Sequence, residues 1–127
     1  MRKFLPLILA LCLLSGCSRD NIWCQLVLVP QMPEGEEIAA LTIDSSLQGN
    51  YLRNINTLET YNFPALVGGR LRLTVLKGFY AISFDGVAEL SSGREKKVRF
   101  TAYSTEANSV CLAEDECTLT LPLIVLK

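Results

Sequence analysis

Five cysteines and no histidine bound the chemistry open to this 127-residue sequence. The missing imidazole excludes histidine-based triads, histidine acid–base catalysis and most zinc sites. A serine nucleophile would need a lysine partner, and no Ser-x-x-Lys occurs. Glu114-Asp115-Glu116 is the densest acidic run. Three adjacent carboxylates point in different directions, and the spacing of a calcium-binding loop is absent, so a solvated hairpin tip is the better reading. Glu34, Glu36 and Glu37 stand in a charged loop where nothing fixes a catalytic pair at a working separation. Arg94, Lys96, Lys97 and Arg99 fall on alternate faces of a strand, which splits any basic patch. Such charges also guard an edge strand against aggregation. No catalytic residue, metal site or cofactor is expected.

The remaining chemistry lies at the start of the chain. Arg2 and Lys3 precede an apolar run from Phe4 to Leu14, which is followed by Leu14-Ser15-Gly16-Cys17 and then polar residues. The run is too short to cross ~30 Å of hydrocarbon, which takes about 20 residues, but it has the length of a signal-peptide core. Its end resembles the lipobox of bacterial lipoproteins: an aliphatic residue, two small residues, then cysteine. The resemblance implies that the Cys17 thiol carries a diacylglyceryl group, that cleavage occurs before Cys17, and that the freed amine is acylated. Two or more acyl chains make a stable anchor, at about 0.8 kcal/mol per buried methylene. Ser18 after the cysteine favours the outer membrane by resemblance to enterobacterial sorting. Asp20 is a weak version of the acidic surface-export signal of Bacteroidota lipoproteins, so the cell surface and the periplasmic face both stay open.

Cleavage before Cys17 removes Arg2 and Lys3 and leaves 10 basic against 13 acidic residues, a formal charge of −3. A slightly acidic domain without a basic cluster argues against nucleic acid as a partner. Cys12 leaves with the signal and Cys17 carries lipid, so Cys24, Cys111 and Cys117 remain in an oxidising compartment. An odd number permits at most one internal pair. Cys111 and Cys117 close a short loop between two apolar strands and are the favoured disulfide; three free thiols are the alternative.

The elements that hold these residues are strands. Residues 24–30 (CQLVLVP) alternate and end at proline, 38–44 (IAALTID) carry strand formers, and 56–64 (NTLETYNFP) alternate loosely. In 70–76 (RLRLTVL), Leu71, Leu73 and Val75 share one face. Lys77-Gly78 predicts a tight turn into a long strand over 79–90, with Tyr80, Ile82 and Phe84 on one face and a possible bulge at Asp85-Gly86. Ser91-Ser92-Gly93 predicts a hairpin into 95–103, and 109–112 and 117–126 flank the acidic loop, with Pro122 marking an edge strand or bulge. The pattern gives seven or eight strands and no amphipathic helix. The expected fold is all-β, an antiparallel two-sheet Greek-key sandwich of about seven strands. Its boundaries are a signal peptide at 1–16, a tether at 17–23 and one domain at 24–127. Trp23 stands where it can rest at a membrane interface or cap the sandwich.

The order from Leu41 to Tyr80, ending in Leu76-x-Gly78-x-Tyr80, resembles prealbumin-like, or carboxypeptidase-regulatory-like, β-sandwich domains. The later Ile-x-Phe-Asp-Gly-x-Ala strand and Val-Arg-Phe-x-Ala-Tyr strand look like small Bacteroidota lipoproteins with one such domain, some of them fimbria-associated. Gly78 is expected to meet a need for positive φ or close backbone approach. Tyr80 is expected to bury its ring and hydrogen-bond its hydroxyl to a neighbouring loop. The resemblance implies a non-catalytic binding, assembly or adhesion role. The expected partners are the membrane through the N-terminal lipid and a fimbrial or envelope protein, or a glycan. A periplasm-facing accessory subunit of an outer-membrane complex is the alternative. The last run, CTLTLPLIVLK, is apolar enough to give or accept a strand at a sheet edge.

Overall fold

Strict alternation decides most of the architecture. In the computed structural model, which describes residues 21–105 and 107–126, ten strands and no helix are found among the described residues. They are β1 (Trp23–Gln31), β2 (Ile38–Thr42), β3 (Tyr51–Asn54), β4 (Thr60–Tyr61), β5 (Leu71–Leu76), β6 (Gly78–Leu90), β7 (Glu95–Tyr103), β8 (Val110–Leu112), β9 (Glu116–Pro122) and β10 (Ile124–Val125). They form two sheets. The smaller has the order β5-β1-β9; the larger runs β10-β7-β6-β3-β4, with β2 and β8 also paired to β6. The expected β-sandwich is present, with more and shorter strands than the pattern suggested.

β6 is the spine of the larger sheet. Its 13 residues pair with β7 and then β8 along one side, and with β2 and then β3 along the other. Tyr80, Ile82, Phe84, Ala88 and Leu90 project inward from it. They meet Leu26, Leu28, Leu71, Val75 and Leu121 of the smaller sheet. Phe84 stacks on Phe100 at 5.8 Å between centroids and takes the edge of Phe63 at 5.2 Å. Removing this apolar surface from water is the main stabilising term, roughly 25 cal/mol per Å².

Four expectations need correction. The sandwich is not wholly antiparallel, because β1 and β9 run parallel, with Leu26 opposite Cys117 and Leu28 opposite Leu119. Lys77-Gly78 is not a hairpin turn: β5 lies in one sheet and β6 in the other, so the chain crosses the core there. Most of 56–64 is loop, and the strand before it is Tyr51–Asn54. Leu58, at φ 66° and on the surface, turns the chain within that loop. The acidic run is also an inter-sheet connection, from β8 to β9, rather than a hairpin tip.

Other expectations hold, one of them in part. β6 continues through Asp85-Gly86 as one long strand, but the bulge expected there is not found: Asp85 and Gly86 pair in regular register with Arg99 and Val98, and the ladder shifts instead between Ile82 and Phe84. The Ser91–Gly93 hairpin closes through Leu90 N–H to the Arg94 carbonyl at 2.8 Å. β9 is an edge strand ending at Pro122, after which the chain changes sheets into β10.

Candidate functional site

Strand direction gives the sandwich two dissimilar poles. At one, β1 and β6 begin, β5 ends, β8 ends and β9 begins, with Trp23 opposite Leu76, Gly78 opposite Leu112 and Gln25 opposite Glu116. The described chain enters here at Asn21, four residues after Cys17. Ile22, Trp23 and Phe79 are exposed around this pole, each about half open to solvent (53%, 46% and 49%). Trp23 therefore does not cap the core. Cys17 itself, the signal segment and the first residues of the tether lie outside the described residues.

Asp115 organises the polar part of this base. It accepts from Lys77 Nζ at 2.6 Å and from Asn21 Nδ2 at 3.2 Å, and its backbone carbonyl accepts from Gln25 N–H at 2.7 Å. These bonds hold its carboxyl below the usual range, the Lys77 hydrogen bond contributing most. Asn21 also folds back on the strand entrance: it donates from Nδ2 to the Trp23 carbonyl, and its Oδ1 accepts from Trp23 N–H. The acidic run is solvated as expected, with Glu114, Asp115 and Glu116 all exposed, and its central carboxylate is also tied to the strand entrance.

Behind the base sits a buried polar chain. Asn54 ends β3; its Oδ1 accepts from the N–H groups of Asn56 (2.8 Å) and Thr57 (3.0 Å), capping the loop, while Nδ2 donates to the Tyr80 hydroxyl at 3.2 Å. That hydroxyl donates to the Leu76 carbonyl at 2.6 Å, and Leu76 N–H donates to the Tyr61 hydroxyl at 3.0 Å. Burial raises the Tyr80 phenol well above its usual range. Tyr80 is fully buried, so its expected structural role is met. Gly78 is met as well: φ is +156°, and an added Cβ would stand 3.0 Å from Asn54 Nδ2. Asn54 was not singled out from sequence, since an asparagine in a polar stretch looks like any loop residue. Asn50 escaped for the same reason; its side chain joins the Asp44 carbonyl to Asp85 N–H.

The expected Cys111–Cys117 disulfide is not formed: Cys24, Cys111 and Cys117 are all free. Closeness in sequence does not make these two thiols meet. Cys111 is exposed on β8, in register with the exposed Phe79 of the larger sheet, whereas Cys117 is half-buried on β9 of the smaller sheet. Cys117 instead lies beside Cys24. Cys24 stands two residues before Leu26, the residue opposite Cys117, on the same face; burial first, and the neighbouring Cys117 thiol second, push Cys24 up to about 12.

The opposite pole carries the 31–37 loop. Shallow clefts there are lined by Pro33, Glu34, Glu36 and Glu37, with Lys96 and Leu123 alongside. Glu36 pairs with Lys96 at 3.3 Å, across to the inward face of β7. Arg99 lies on the outward face with Lys97 and grips Asp85 through two bonds of 2.7 and 2.9 Å. The basic strand is thus split between faces, as its spacing predicts, and two of its charges are neutralised locally.

No family model, no curated protein and no solved structure matches this chain. Among the described residues, no helix is long and apolar enough to cross a membrane.

Proposed function

We propose that this chain is a lipid-anchored protein of the bacterial outer membrane, whose sandwich is a non-catalytic binding or assembly module at the cell envelope. One observation carries the reading: the Leu14-Ser15-Gly16-Cys17 sequence stands only four residues before the point where the domain is entered. Four residues span at most about 14 Å. An anchor at Cys17 therefore sets the base, with Ile22, Trp23 and Phe79, against the membrane interface, where indole is at home. The pole with the 31–37 loop then points away from the lipid, toward a partner.

The edge of the smaller sheet supports assembly as the mode of binding. β1 occupies one side of β9, and among the described residues no strand pairs with the other side. An edge with open N–H and C=O groups can take an added strand from a fimbrial or envelope protein. The histidine-free composition supports a role without catalysis.

Fractionation of cells producing the full chain, with palmitate labelling, tests the anchor. The wild type should be labelled and membrane-bound, and Cys17→Ala should be unlabelled and released. A Cys17→Ala chain that stays in the membrane overturns the reading. Protease treatment of intact cells then separates a surface module, which is cut, from a periplasm-facing subunit, which is protected.

A further inference from the structure

We propose that Cys24 and Cys117 form a disulfide bond that joins β1 to β9. The pairing follows from sheet register. β1 and β9 are parallel neighbours with Leu26 opposite Cys117 and Leu28 opposite Leu119. Opposed residues project to the same face of a sheet. Cys24, Leu26 and Leu28 thus share the inner face with Cys117, Leu119 and Leu121, and Cys24 is the diagonal neighbour of Cys117.

The side chains close the diagonal. Cys117 Sγ leans back along its strand, toward the level of Cys24, to 3.9 Å from the Glu114 carbonyl. Parallel strands lie about 4.8 Å apart with a rise of about 3.3 Å per residue, so Cα atoms two residues out of register stand about 8 Å apart, and a disulfide spans about 5.5–6 Å. The bond therefore needs the two Cα atoms drawn together by about 2–3 Å. Both residues are second in their strands, β9 is an edge, and residues 113–115 belong to no strand. The backbone can move there without breaking a central ladder. Cys111 faces away on the other sheet and has no part in this pairing.

The chemistry needs a disulfide oxidant, such as glutathione disulfide. The half-exposed Cys117 thiol loses its proton and attacks a sulfur of the oxidant, releasing one glutathione thiolate and leaving a mixed disulfide. The Cys24 thiol loses its proton and attacks Cys117 Sγ; the Sγ–Sγ bond forms and the second glutathione leaves as thiolate. Two protons and two electrons leave the protein, and one oxidant disulfide becomes two thiols. A thiol held as high as Cys24 is scarcely ionised near neutrality. Closure in the folded chain is accordingly slow and is fastest during folding. The pairing depends on an oxidant and not on the lipid anchor, so it stands or falls apart from the reading of Cys17.

The test uses the wild-type full chain, refolded in a glutathione redox buffer, acid-quenched, alkylated and digested with trypsin and a glutamate-specific protease. Cleavage after Glu114 and Glu116 separates Cys111 from Cys117. The expected product joins the Cys24 peptide to the 117–127 peptide and leaves Cys111 alkylated. A Cys111–Cys117 or Cys24–Cys111 link, a link from Cys24 or Cys117 to Cys12 or Cys17, or Cys24 and Cys117 both alkylated, overturns the proposal. Thermal melts give a second readout: reductant should lower the wild-type Tm by on the order of 10 °C. Cys111→Ala should keep that shift and Cys117→Ala should lose it. Equal shifts in both variants also overturn the pairing.

Discussion

Asn54 and Tyr80, 26 residues apart in sequence, meet in the interior with Nδ2 donating to the phenolic oxygen at 3.2 Å, and each has a second partner. Tyr80 is tied to the Leu76 carbonyl where β5 leaves its sheet, and Asn54 caps the loop that follows β3. The pair fixes the crossover between sheets to the turn beside it. Tyr80→Phe removes the hydroxyl from a half-buried carbonyl and a buried amide N–H and should cost about 1–3 kcal/mol. Asn54→Ala should cost more, since it also uncaps the loop. Urea unfolding of the three proteins measures both.

The same tyrosine has an alkaline signature. Its folded-state ionisation lies above the ordinary value of 10.0, so the unfolded chain gives up the proton first. Its contribution is whole below pH 10 and is lost as pH rises beyond it. Unfolding midpoints between pH 9 and 11 should fall for the wild type and fall less for Tyr80→Phe.

Gly86 is a tighter constraint than the turn glycines. A Cβ there would stand 2.7 Å from the Thr42 carbonyl oxygen, a backbone atom within the sheet. At Gly35, with φ +77°, the added carbon meets nothing. Gly86→Ala should cost about 2–3 kcal/mol through displaced backbone. Gly35→Ala should cost only the left-handed strain, about 1 kcal/mol. Equal Tm losses for the two would contradict the close approach of β2 to β6.

Acid weakens the surface ion pairs in a defined window. The Asp85 carboxyl is held below its ordinary 3.8, chiefly by its hydrogen bond from Arg99. A depressed folded-state value means that its contribution is present above pH 3.8 and disappears as pH falls through the lower value. The pair is half exposed, so the effect is small, under about 1 kcal/mol, and is screened by salt. Asp85→Asn should flatten that part of the stability curve between pH 5 and 2, measured at low ionic strength.

Phe84 lies between Phe63 and Phe100. Phe84→Ala should cost about 3–5 kcal/mol. A double-mutant cycle with Phe63→Ala should return a coupling of about 0.5–1.5 kcal/mol, read by chemical denaturation.

Strand content was legible wherever apolar residues alternate without interruption. Leu71 and Val75 of β5 and the inward set of β6 are buried as their spacing requires. β3 was missed because its two inward residues are Leu52 and Asn54. A polar side chain on the inner face erases the period-2 signal in a strand of four. The partner of β1 was invisible for another reason: alternation identifies a face but not a neighbour, and β9 lies some 90 residues away in a parallel ladder. Cysteine spacing misled in the same manner. Residues 111 and 117 are close along the chain, yet the chain changes sheets between them. Of the candidate site residues, Gly78 and Tyr80 could be picked out by residue type, a glycine where the chain changes direction and an aromatic in an alternating strand, although what constrains them is Asn54. Their partner Asn54 could not.

The place of β1 at the centre of its sheet has a mechanical consequence. It is held by six residue pairs to β5 and seven to β9. Tension entering at Asn21 runs along the strand, across the direction of those bonds, so it loads both ladders together in shear. Tension from the C-terminal side meets the two-residue β10 first; past it, β9 runs parallel to β1 and is pulled from the opposite pole, so the same ladder is loaded in shear from that end. A pull between the two ends of the described chain meets a seven-pair ladder across its bonds, not a zipper.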